Sequence, residues 1–73
     1  MTEIARAFSF PHAVNAQEKI LEAWRENRDL ELETDMRLWC IRNVDPNDWL
    51  HDPAHRYEFR SIEDAVRFQL TWL

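Results

Sequence analysis

Apolar and polar positions alternate along this chain with two different periods, and the switches between them mark out the elements. Over 3–10, Ile4, Phe8 and Phe10 share one face of a strand that Arg6 interrupts. Pro11, with no N–H to give to a ladder, ends it. Over 12–27 the period becomes helical. Ala13, Ala16, Ile20, Ala23 and Trp24 form an apolar arc with Leu21 at its border, and Glu18, Lys19, Glu22, Arg25 and Glu26 fill the other side. Asn15 to Glu18 matches a capping box, so this helix starts at residue 12 or at residue 16, and Asn27 is its expected stop.

From 29 to 43 the pattern reads as strand. Leu30, Leu32, Met36, Leu38 and Cys40 fall in one parity and Trp39 and Ile41 in the other, with 36–42 the firmest stretch. Asp45-Pro46 and Asp52-Pro53 punctuate a loop over 44–55, in which Asp45 is placed to cap a short turn. Tyr57 and Phe59 then share one face of a strand over 55–60. Ser61 to Asp64 resembles a capping box and opens a helix over 62–72, with Ile62, Ala65, Val66, Phe68, Gln69 and Trp72 facing inward. Phe68, Leu70 and Trp72 also alternate, so the last turn is either helical or extended.

The order β-α-β-β-α predicts one α+β domain over residues 1–73, a two-layer sandwich with both helices on one face of a small three-stranded sheet. Trp39 and Ile41 would then stand opposite Leu38 and Cys40, leaving one pair on the uncovered face. Two solutions follow: a two-fold homodimer through the sheet, or the 44–54 loop folding under it with Trp49 and Leu50 as cover.

Composition narrows the function. At 73 residues the core is small, and the single cysteine, Cys40, permits no internal disulfide. The chain is 45% hydrophobic and 32% charged, a globular balance, and no apolar run reaches the ~20 residues of a membrane span. Its start lacks the basic and apolar regions of a signal peptide, so a cytoplasmic protein is expected. A formal net charge of −5 disfavours direct nucleic-acid binding and favours a protein partner.

No reaction chemistry gathers in the sequence. Without glycine there is no phosphate-cradling loop. His51 and His55 have a chelating spacing, but Pro53 lies between them. Cys40 sits in an apolar alternation, where cysteine behaves as a small hydrophobe. The pairs Glu63-Asp64 and Asp45/Asp48 serve capping and solvation. The expectation is a non-enzymatic chain with no cofactor and no metal.

Two features point to partners. Residues 26–35 carry five acids against one base. On a strand, Glu31, Glu33 and Asp35 would project to one side about 6.8 Å apart, close to phosphate spacing; the readings are a nucleic-acid mimic or a solubilising edge. Trp24, Trp39 and Trp72 occupy periodic packing positions, whereas Trp49-Leu50 lies among acids and prolines, as a lid on the core or as an offered contact. The candidate contacts are therefore Trp39, Ile41, Trp49, Leu50, Glu31 and Glu33.

Tyr57-Glu58-Phe59-Arg60, Glu63-Asp64-Ala65 and Phe68-Gln69-Leu70-Thr71-Trp72 together resemble a pattern in short phage-encoded and prophage-encoded proteins. The resemblance covers about the last twenty residues. The pattern often continues with Gly after the Trp, where this chain has Leu73. It implies an accessory protein that binds and blocks a bacterial host or defence protein.

Overall fold

The computed structural model describes residues 10–73. In order they form β1 (His12–Asn15), α1 (Gln17–Arg25), α2 (Asp29–Asn43), β2 (Trp49–Asp52), β3 (Arg56–Phe59) and α3 (Ile62–Trp72). The expected class, a small α+β fold with a three-stranded sheet, is what the chain adopts, but the order is β-α-α-β-β-α. The strand expected over 3–10 lies outside the described residues except for Phe10, which is in no strand.

The largest correction concerns 29–43, which is helix and not strand. Leu32, Met36, Trp39 and Cys40 make the stripe that packs inward at helical spacing, while Leu30, Leu38 and Ile41 point outward. Apolar residues on several sides of a helix mimic strand alternation. Composition decides otherwise, because Leu, Glu, Met and Arg are strong helix formers. Asp29 and Glu31 in the first turn and Arg42 in the last complement the helix dipole.

A second correction concerns 12–15, which is strand and not the first turn of a helix. Val14 is buried opposite Tyr57 while Ala13 and Asn15 face out. The Asn15 side chain accepts the Gln17 N–H at 2.8 Å, so its capping role is realised one residue ahead of the N-cap, Ala16. Asn27 ends α1 as expected. It takes φ 60°, its N–H donates to the Trp24 carbonyl at 3.0 Å, and Arg28 donates to the Ala23 carbonyl at 2.8 Å. This is a Schellman closure built without glycine.

The sheet runs β1-β3-β2, antiparallel throughout. The register aligns His12, Phe59 and Trp49 in one row and Val14, Tyr57 and His51 in the next on that face. Phe68 of α3 lies over this face, 4.6 Å from the Tyr57 ring and 5.4 Å from the Phe59 ring. Trp39 of α2 meets Phe68 edge-on at 5.8 Å. Ala16, Ile20 of α1, Met36, Cys40, Val44 and Ala65 complete the buried core of the described residues. On the opposite face Glu58 is buried, accepting the Phe10 N–H at 3.0 Å with Arg56 3.7 Å away. Ser61 caps α3 by accepting the Glu63 N–H at 3.1 Å, and the helix continues through Trp72.

Two turns position β2, which falls inside the expected loop. Asp45 accepts the Asn47 N–H through its side chain at 2.9 Å and the Asp48 N–H through its carbonyl at 2.8 Å. After β2, Asp52 accepts the Ala54 N–H at 2.7 Å, and His55 turns the corner at φ 65°. A three-residue hairpin loop calls for a left-handed residue there, usually glycine. Here His55 fills the place, and its Nδ1 donates to Glu33 Oε1 of α2 across 2.6 Å. Its carbonyl accepts the Ala16 N–H at 2.9 Å, tying the hairpin tip to the β1–α1 junction. No helix among the described residues is long and apolar enough to cross a membrane.

Candidate functional site

Making α2 a helix redistributes the candidate contacts. Arg37 and Ile41 are one turn apart and so share a side of the helix. They form a wall of an open groove of about 520 Å³ completed by Pro46 and by Trp49, Leu50 and His51 of β2. Three of the six expected contact residues, Ile41, Trp49 and Leu50, thus meet in one place. Ile41 is 61% exposed and Leu50 40% exposed, whereas Trp49 is half-buried. Trp49 packs against the core and lines the groove at once. It sits on a strand and not in a loop.

Trp39 lies apart from this groove. It is half-buried against Phe68, with the Arg67 guanidinium 5.7 Å from its ring centroid, and it borders a smaller depression of about 260 Å³ shared with Leu38, Arg42 and Trp72. The sheet-face position expected for Trp39 and Ile41 does not arise, because both belong to a helix.

The acidic segment is also rearranged. Glu31 and Asp35, one turn apart, line a groove of about 280 Å³ between α1 and α2 together with Glu22, Glu26, Lys19 and Arg28. Glu33 is engaged by His55. A helix sends alternate residues to different sides, so the single row of acids about 6.8 Å apart that a strand would give is not formed.

Beneath α2 the His51 Nε2 and the Tyr57 hydroxyl are buried without a hydrogen-bond partner among the described residues. The His51 ring stacks on Tyr57 at 4.6 Å. Burial pushes the His51 pKa down; Glu33 opposes that shift, and Arg37 and His55 add to it. Burial also pushes the Cys40 thiol up to about 12, with Asp64 contributing, and it raises the Tyr57 phenol as well. A thiol so buried and so weakly acidic supplies no thiolate at neutral pH. No group of three or more metal-ligating side chains comes together among the described residues.

Arg37 makes no ion pair with a described residue, unlike Arg28, Arg56, Arg60 and Arg67. Sequence reading missed Arg37, Pro46 and His51 as groove residues. Arg37 was findable as the residue one turn before Ile41, had the helix been recognised. The other two depend on how β2 pairs. No family model, curated protein or solved structure matches the chain.

Proposed function

We propose that this chain is a non-catalytic protein-binding module whose contact surface is the α2–β2 groove. The observation that carries the reading is the meeting of Ile41, Trp49 and Leu50 in one open groove beside Arg37, a cation with no ion pair among the described residues. Covering an exposed aliphatic side chain stabilises a complex by roughly 1.5–3 kcal/mol, and a tryptophan braced by the core offers a rigid anchor. The buried Cys40, the stacking of His51 on Tyr57 and the pairing of His55 with Glu33 place these groups apart from one another, which favours binding over chemistry. On the resemblance of its last third to phage-encoded accessory proteins, the partner is a bacterial host or defence protein.

The test is retention of proteins from a bacterial lysate on the immobilised chain, compared with Ile41→Glu/Leu50→Glu and with Leu70→Glu. The groove reading expects a retained protein that the groove variant loses and the Leu70 variant keeps. Equal retention by all three contradicts it.

A second reading, a homodimer, draws on a different observation. Ile62, Val66, Leu70 and Leu73 lie along one outer side of the α3 region, and Leu70 is 82% exposed. Spacings of four and three residues suit a two-helix seam. Sedimentation at micromolar concentration tests it: this reading expects a dimer that Leu70→Glu dissociates.

A further inference from the structure

The groove has a strand edge as one of its walls. In the order β1-β3-β2, β2 lies at the end of the sheet and pairs, among the described residues, with β3 alone. The Arg60 N–H donates to the Asp48 carbonyl at 2.9 Å, which makes 48 and 60 a hydrogen-bonded pair next to the Trp49–Phe59 pair. Bonded and non-bonded pairs alternate along an antiparallel ladder. Leu50 with Glu58 and Asp52 with Arg56 are therefore the bonded pairs. Trp49 and His51 turn their N–H and C=O groups away from β3, toward the edge on which no described residue pairs.

Resting on the protein-binding reading, we propose that the groove takes an extended peptide as a fourth strand along β2, with a bulky apolar side chain and a carboxylate two residues apart. The outward backbone groups of Trp49 and His51 supply the ladder, and pockets for alternate side chains supply the choice, as in strand addition generally. Side chains two apart on a strand are about 6.8 Å from each other. Arg37 and Ile41, four residues apart on α2, are separated by about 6 Å along the helix. The two spacings match closely enough for one peptide side chain to meet each. The apolar one lies against Ile41, Pro46 and Trp49; the carboxylate meets Arg37, the cation of this groove without an ion pair among the described residues. A basic side chain there would meet like charge.

The experiment selects a random decapeptide library on the immobilised chain and maps the enriched peptides by amide chemical shifts. The expected result is an apolar-x-acidic pattern with the largest shifts at Trp49, His51 and Ile41. Arg37→Glu, an exposed substitution, should weaken these peptides about tenfold or more, since a hydrogen bond to a charged group is at stake. Renewed selection on that variant should favour apolar-x-basic sequences. Shifts confined to the α1–α2 groove or to α3, or indifference to Arg37→Glu, overturn strand addition. A dimer with protected Trp49 and His51 amides assigns the edge to a second copy and overturns the peptide proposal. Failure to enrich any peptide overturns strand addition; if lysate retention still depends on Ile41 and Leu50, the broader binding reading survives that failure, and otherwise it falls too.

Discussion

Phe68 is fully buried and touches three rings, Trp39 from α2 and Tyr57 and Phe59 from β3. Replacing it with Ala removes a side chain that joins α2, α3 and the central strand. A buried Phe→Ala change costs about 3–5 kcal/mol, of which the favourable ring geometries account for roughly 0.5–1.5 kcal/mol per pair. A domain of this length has about 4–11 kcal/mol of stability in total. Phe68→Ala should therefore leave a chain that is partly unfolded or close to it, and Phe68→Leu, at about half that cost, keeps the measurement within range. The assay is urea unfolding followed by tryptophan fluorescence, with the slope of stability against urea checked for constancy. Leu70→Ala, at the exposed surface of the same helix, should stay within about 0.5 kcal/mol of the parent. A loss below about 1.5 kcal/mol for Phe68→Ala, or an equal loss for Leu70→Ala, refutes the placement of Phe68 at the centre of the core.

Other predictions follow from the same packing. His51 titrates below its ordinary value of 6.5 because it is buried. The unfolded chain then takes up this proton first, so the stability linked to His51 is fully present above pH 6.5 and is lost as pH falls toward the folded pKa. His51→Phe, which keeps a ring on Tyr57, should flatten the slope of unfolding free energy between pH 7 and about 5; an unchanged slope assigns it to other groups. The Cys40 thiol should resist a thiol-reactive dye in the folded chain and react at the rate of unfolding; rapid labelling of native protein contradicts its burial. Asn27→Gly should leave stability unchanged or raise it by a few tenths of a kcal/mol, and Asn27→Ala should lower it by about 1 kcal/mol, as read by thermal melts.

The elements that sequence reading placed correctly are those whose local signals agree. Tyr57 and Phe59 alternate with polar neighbours, and Ser61 supplies a cap just before a helical arc. In α2 the signals conflict, because Leu30, Leu38 and Ile41 add apolar positions outside the inner stripe and mimic alternation. Ala13, Ala16 and Ile20 satisfy a helical arc although Ala13 lies in β1, where pairing to β3 outweighs a weak local preference. Trp49 to Asp52, set between two Asp-Pro pairs, becomes a strand only through its pairing with β3, a contact with little local trace. The candidate site was legible as residue types and not as geometry. Ile41 was singled out for its parity on a strand and Trp49 for its place in a loop, and a helix and a strand bring them together. Arg37, which gives the groove its charge, has no place beside Ile41 on a strand and gains one only on the helix.

The most direct test of the groove as a protein-binding surface is amide hydrogen exchange with and without a retained partner. The Trp49 and His51 amides, turned away from β3 and unbonded among the described residues, should exchange readily in the isolated chain and slow markedly in the complex, together with reduced accessibility of Ile41. Unchanged exchange at Trp49 and His51 with new protection elsewhere, on α1 or α3, would contradict it.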